Sequence, residues 1–305
     1  MKSNPGSLAN DLLYKVLYPA DNRQYQHPTL ASLDKITRDT IIEHYKTYYV
    51  PSGQWAGISG DITVKDAVAK LDKVLGGWKG GPMKRVTVPM PGPIAEKKVY
   101  MVPRPNSVQT LLLISNHAIE RTNPDYINVQ VMNRVLGSGP SSRLFRVIRE
   151  EKGYTYGVGS GFSASRTMNH FIASTSVRTD VTEPALAELL NQFKDIRDRA
   201  VPADELNDAK SAIVASFVLG LESSASVLGR WLEQREYNLP EDYWDTYPTK
   251  IMAVTADDVK RVAIKYVPLD NAQIIAVGDA AKIAELLKKF GPVEERPPDS
   301  PNEHN

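Results

Sequence analysis

No cysteine occurs among the 305 residues. That excludes disulfides, thiolate metal sites and a cysteine nucleophile. No apolar run approaches the roughly 20 residues of a membrane helix, so no membrane partner is expected. Neither sign of charge dominates, since 37 basic and 36 acidic residues leave a formal net charge of +1. Nucleic-acid binding rests on phosphate neutralisation and leaves a basic footprint. Without one, no nucleic-acid partner is expected. Histidine is scarce, with only His27, His44, His117, His170 and His304. No two share a helix at ligand spacing, and neither HExxH nor HxxEH occurs. A zinc site needs three or four convergent ligands. No metal ligand is therefore assigned, and each histidine is read as a surface or packing residue. No GxSxG elbow is present either. The N-terminal run MKSNPGSLAND lacks the apolar core of a signal peptide. It leaves cytoplasm and periplasm both open.

What is present is one unit written twice. Lys35 to Leu71 reads KITRDTIIEHYKTYYVPSGQWAGISGDITVKDAVAKL, and Ala253 to Leu286 reads AVTADDVKRVAIKYVPLDNAQIIAVGDAAKIAEL. Thr37 matches Thr255, Tyr49-Val50-Pro51 matches Tyr266-Val267-Pro268, and Gly60-Asp61 matches Gly278-Asp279. About 155 residues of folded-looking sequence precede the second copy, and only 34 precede the first. Equal copies would place about 120 further residues ahead of Met1. The expected division is 1–80 as the end of a first domain, 81–97 as a Pro/Gly-rich linker, 98–291 as a complete second domain and 292–305 as a disordered tail.

Periodicity predicts helices at 5–18, from Thr37 to about Tyr48, and from Thr63 to Leu75, with a short buried strand at Trp55–Ser59 between the last two. After the linker come strands at 99–102 and 108–115. A helix opening at Asn123-Pro124 follows, then one from Ser141 or Ser142 to Lys152 that Gly153 ends. Strands at 154–164 and 170–178 pair as a hairpin. Helices near 184–198, 203–230, 241–252 and 256–265, a strand at 272–277 and a last helix complete the chain. The order predicts an α+β class: a duplicated antiparallel sheet with helices packed on one face, the first copy truncated. Without the strands of the first copy, the helices at 5–18 and 37–48 are expected to lack the sheet they should cover.

Gly137-Ser138-Gly139-Pro140 invites a phosphate-loop reading, but it lacks the Lys-Ser/Thr of a Walker loop, and Pro140 removes an N–H donor. Gly157, Gly159 and Gly161 alternate along a strand, which clears one face for close approach of another backbone. Arg149 lies late on its helix and Tyr156 seven residues on. Both can project to one side of the helix–strand junction. A guanidinium fork and a phenol hydroxyl can grip a peptide carbonyl or carboxylate. Equally, Arg149 can form a surface ion pair and Tyr156 can simply pack.

The stretch NRVLGSGPSSRLFRVIREEKGYTYGVGS resembles the signature of the C-terminal domain of the pitrilysin/insulinase family of zinc metallopeptidases, in its bacterial and mitochondrial-processing branch. VPRPNSVQTLL, VRTDVTEPALAELL, DELNDAKSAIVASF and both Gly-Asp repeats add to the resemblance, which runs from Pro5 to about Phe290. It implies paired α+β domains closing like a clamshell around a chamber. In active members the first domain carries HxxEH on a helix and a later glutamate as third zinc ligand. None of these matches a residue here. The resemblance implies no catalytic residue and no cofactor in this chain, with zinc on an HxxEH-bearing partner domain, subunit or missing N-terminal part. It makes Arg149 and Tyr156 substrate-binding residues and a flexible peptide the substrate. Gly137-Ser138-Gly139-Pro140 departs from the Gly-Gly-aromatic pattern frequent there. Three functions fit: a non-catalytic polypeptide supplying the Arg/Tyr half of the chamber, part of a longer active endopeptidase, or a non-proteolytic assembly subunit.

Overall fold

A computed structural model describes residues 4–26, 28–89, 91–166 and 169–297. The chain divides into two compact units. Among the described residues the first combines those of 4–26, 89–214 and 247–297, and the second those of 28–88 and 215–246.

The chain enters the first unit through helix α1 (Pro5–Leu17), where the Asn4 side chain caps the free N–H groups of Gly6 and Ser7 and Pro5 opens the first turn. Its buried stripe is Leu8, Ala9, Leu13 and Leu17. The second unit then supplies α2 (Leu30–Asp34), α3 (Arg38–Tyr48) and α4 (Val64–Leu75). Back in the first unit, β1 (Lys98–Pro103) and β2 (Gln109–His117) precede α5 (Tyr126–Leu136) and a π-helix over Phe145–Glu151. The hairpin β3 (Val158–Ala164) and β4 (Asn169–Arg178) leads to α6 (Thr182–Asp198). Then follow α7 (Ala203–Leu219), α8 (Ser224–Glu236), α9 (Tyr243–Ala253), α10 (Ala256–Tyr266), β5 (Gln273–Gly278), α11 (Ala280–Leu287) and β6 (Val293–Glu295). The single helix predicted over 203–230 is interrupted at Gly220–Glu222, beyond which Ser223 caps a new start by accepting the N–H of Ser226.

The six strands form one sheet in the order β3-β4-β2-β5-β1-β6. The expected α+β architecture holds, with two refinements. The sheet is mixed, because β1 runs parallel to both β5 and β6 while β2, β4 and β3 pair antiparallel. Both faces of its middle are covered. Tyr100, Val102, Leu113, Ile275 and Val277 point to α1, forming one core with Leu8, Leu13 and Leu17. By the two-residue alternation of strands, Val99, Met101, Leu112, Ile114, Ile274 and Ala276 face the opposite side, and all are buried. Helices α5, α6 and α10 pack on one another there, with Phe162, Phe171 and Phe193 edge to face at 5.1 and 5.4 Å. The expectation that residues 5–18 lack a sheet is therefore corrected. Their sheet is the one built from residues 98–295. The residues read as a disordered tail also begin with a strand, β6, paired with β1. Residues 298–305 lie outside the described residues.

The second unit has helices but no strand among its described residues. Thr37 caps α3 in a reciprocal capping box with Thr40, as Thr255 caps α10 with Asp258. Thr63 caps α4 through Asp66. None of α3, α4 and α8 buries a residue fully. Trp55 and Trp231 meet edge to face at 6.3 Å, and Phe217 stacks on Trp244 at 6.0 Å. The predicted strand at Trp55–Ser59 is not formed. A strand needs neighbours for its N–H and C=O groups, and this unit offers none.

Candidate functional site

The predicted pair lies on the path from the π-helix to β3. An α-helix has i→i−4 bonds, whereas here the Lys152 N–H reaches the Val147 carbonyl at 3.0 Å and the Tyr154 N–H reaches Ile148 at 3.1 Å. The widened turn is the kind that gathers at functional sites. Gly153, at φ 62°, ends it in the left-handed conformation that glycine adopts without steric cost. Arg149 is exposed, and its guanidinium lies 4.5 Å from the centre of the Phe145 ring. Among the described residues it forms no ion pair or hydrogen bond. Tyr156 is 92% exposed, and no partner is recorded for its hydroxyl among the described residues. The structure does not link the two by a direct contact. The surface ion pair and the packed tyrosine that the sequence left open are both absent among the described residues.

Thr155 fixes the backbone beside Tyr156. Its hydroxyl donates to the carbonyl of Ser176 on β4 at 2.7 Å and accepts the Gly157 N–H at 3.1 Å. Thr175 adds a bond to the Gly157 carbonyl at 3.0 Å. Tyr156 then borders a shallow open depression with Gln109, Leu111, Gly157, Gly159, Ser174 and Ser176 on its floor. The strand register places Gly159 opposite Ser174, and Ser176 opposite Leu111. This is the sheet face that α1 covers further along. At Gly157 and Gly161 an added Cβ would meet nothing within 4 Å. At Gly159 it would lie 3.1 Å from the Gly137 carbonyl, so another backbone approaches closely at the middle glycine, while the outer two stand open.

The Gly137–Pro140 turn closes on the outer edge of β3. The Gly137 carbonyl accepts the Ser160 N–H at 3.0 Å, and Asn133 brackets Ser160 with bonds of 2.7 and 3.1 Å. A Cβ on Gly137 would lie 2.2 Å from Ser160 Oγ and 2.6 Å from its backbone nitrogen. Backbone cannot yield there as a flexible side-chain tip can. Gly137→Ala is expected to destabilise the first unit by about 1–3 kcal/mol, the range for overpacking, measured as a shifted denaturant midpoint. An unchanged midpoint would show that the turn does not seat on β3.

Sequence reasoning missed Arg143, whose guanidinium is buried at the head of the π-helix. It donates to both carboxylate oxygens of Glu205 at 2.8 and 2.7 Å and to Asp195 at 2.9 Å. It thereby ties the π-helix to α6 and α7. Nothing in local spacing marks an arginine whose partners lie 52 and 62 residues away.

The histidines do not converge. His44 lies against Tyr48 with ring centres 4.7 Å apart. His117 and His170 face each other across β2 and β4 under α1, His170 buried and His117 half-buried. His117 Nε2 lies 2.6 Å from the Leu17 carbonyl, and the Tyr18 hydroxyl lies 2.9 Å from His170 Nδ1. Burial pushes the Tyr18 phenol up to about 12. Burial, then the neighbouring His117, brings His170 down to about 4. Burial also lowers His117, opposed by the Leu17 carbonyl. A neutral imidazole is therefore built into the seat of α1. Since the folded value of His170 lies below its unfolded 6.5, its contribution is complete above pH 6.5 and is lost as pH falls toward 4. The span corresponds to roughly 3 kcal/mol. Denaturant midpoints from pH 7 to 4 should fall, and fall less in His170→Asn. A flat profile would contradict this. His27 and His304 lie outside the described residues. No three His, Asp or Glu side chains converge on a metal-sized site among the described residues, so a zinc ion does not fit the donor set here.

Residues 35–213 match the family model described as the peptidase M16 inactive domain. The chain belongs to this family. Over 279 residues it is 25% identical to an uncharacterized zinc protease of Streptomyces coelicolor, covering 86% of this chain and 58% of that protein. A second uncharacterized zinc protease, from Bacillus subtilis, is 23% identical over 74% of this chain and 54% of its own length. The crystal structure of a peptidase M16 inactive domain from Pseudomonas fluorescens superposes with a TM-score of 0.82 at 28% identity, over 91% of this chain and 66% of that one. The chain thus spans between half and two thirds of the length of these three relatives.

Proposed function

We propose that this M16 inactive-domain chain supplies the substrate-binding wall of a peptide-cleaving chamber, and that an HxxEH-bearing partner domain or subunit supplies zinc and water activation. The observation that carries this reading is the pair itself. Arg149 and Tyr156 match the signature spacing, and among the described residues neither side chain has a hydrogen-bonding partner of its own. Unused donors held by a widened helix turn and a threonine clamp suit a ligand better than a scaffold. The Gly/Ser floor beside Tyr156 leaves room for an extended peptide backbone. Donors of this kind act by meeting charge that develops on a carbonyl oxygen during cleavage.

The test is hydrolysis of an unstructured peptide by this chain together with its HxxEH-bearing partner, with and without Arg149→Ala. An unchanged rate removes the reading and favours a non-proteolytic assembly subunit. The partial coverage of the zinc protease relatives favours one variant of the reading, in which the HxxEH motif belongs to the same, longer polypeptide. The intact mass of the endogenous protein separates that case from a two-chain complex.

A further inference from the structure

Pro140 and Ser141, where the Gly-Ser-Gly-Pro turn ends, line a cavity of about 280 Å³ between the last turn of α5, the π-helix and the start of α7. Arg134 of α5 lines it too. This side chain is half-buried and its Nε is fully enclosed, yet among the described residues its guanidinium has no hydrogen-bond or ion-pair partner. Gly139, at φ 102°, lets Arg134 lie against the turn, since a Cβ there would fall 2.5 Å from its Nη1. A buried donor without an acceptor is costly and rare in native proteins. It calls for an acceptor that comes from outside the chain.

Three carboxylates share the cavity wall and have no partner of their own among the described residues: Glu150, Asp204 and Asp208. Glu205 is held through both oxygens by Arg143, and Arg146 shares Glu151 at 3.8 Å. Asp204 lies in the first turn of α7, where the helix dipole favours an acid. The dipole does not account for the other two. Asp208 stands one turn further on, and Glu150 lies in the last turn of its helix, where negative charge is opposed. Val135 and Ala209, both buried, add an apolar wall.

One cation and three anions thus await a ligand. A simple anion would suit Arg134 but would meet three carboxylates. A polyamine would suit the carboxylates and leave Arg134 without an acceptor. A molecule with one carboxylate, two cationic groups and a methylene stem satisfies both sets and covers the apolar wall. The volume lies just below the roughly 300–1,000 Å³ of drug-sized sites, which suits a single amino acid. We infer that this cavity binds a free basic amino acid, arginine or lysine, with its α-carboxylate on Arg134 and its two cationic groups among Glu150, Asp204 and Asp208. The inference is independent of peptide cleavage.

The experiment measures binding of L-arginine and L-lysine to the full chain by calorimetry at neutral pH, beside L-alanine, L-glutamate and agmatine, which is arginine without its carboxylate. Arginine and lysine should bind saturably at one site. Alanine, lacking the second cation, and agmatine should each bind at least tenfold more weakly than arginine, and glutamate should not bind. Arg134→Met keeps an apolar stem and removes the guanidinium. It should lower arginine affinity at least tenfold and leave agmatine unaffected. Asp208→Asn should reduce the preference for arginine over alanine. Melting of the ligand-free variants checks that they fold. Should one fail to fold, the arginine and agmatine comparison on the parent chain decides alone. Absence of arginine and lysine binding in the millimolar range, agmatine binding as tight as arginine, or unchanged arginine affinity in folded Arg134→Met would overturn the site.

Discussion

Arg149→Ala should lower kcat/KM for peptide hydrolysis by the assembled chamber about a hundredfold, the effect of removing one donor from a developing oxyanion. The chain itself should fold as before. Arg149 is exposed, and among the described residues its guanidinium lies over the Phe145 ring and forms no ion pair or hydrogen bond. Surface changes of that kind usually alter stability by less than about 0.5 kcal/mol. Arg149→Lys separates charge from geometry. A lysine keeps the positive charge but not the planar fork, so a partial recovery would assign the effect to directed donors. Kinetics of the complex and melting of the free chain, measured on the same preparations, test both halves. Wild-type kinetics in Arg149→Ala would end the substrate-binding role.

Arg143→Ala is expected to cost stability instead, by roughly 3 kcal/mol, the lower end for breaking a buried ion pair. The lower end applies because the carboxylates retain some exposure, 20% at Glu205 and 31% at Asp195. Truncation leaves Glu205 without the bidentate cation it faces, while Asp195 keeps Arg199 at 3.1 Å, and desolvation of the unpaired charge is what costs. Replacing all three with apolar residues of similar volume should recover much of the loss, since such swaps are often neutral or better. Chemical denaturation of the single and triple variants measures this. An Arg143→Ala chain as stable as the parent would refute the anchoring role. The same variant bears on function, because Arg143 seats the head of the π-helix that presents Arg149.

Much of this was legible in advance where the cause is local. The N-caps at Thr37 and Thr63 follow from threonine placement ahead of a helical stretch. Gly153 ends its helix as its freedom at positive φ requires. The hairpin of β3 and β4 follows from strand alternation. The role of α1 was not legible. Its apolar stripe of Leu8, Leu13 and Leu17 says that a helix face must be buried, but not against which sheet. The spacing of Arg149 and Tyr156 was legible too, whereas the extra backbone residue in the turn that presents Arg149 leaves no periodic trace.

The sequence alone determined most of the elements, several of their caps, the duplication and the family signature, because helix and strand formation rest on spacings of a few residues and on side-chain chemistry at the ends. Only the tertiary structure decided which sheet receives α1, that Gly137 must lack a side chain against Ser160, and that Arg143 joins Glu205 and Asp195. It also decided that β5 is a strand while Trp55–Gly60 is not. Two nearly matching segments differ there for one physical reason. A strand exists only where neighbours satisfy its backbone, and neighbours are a property of the assembled fold.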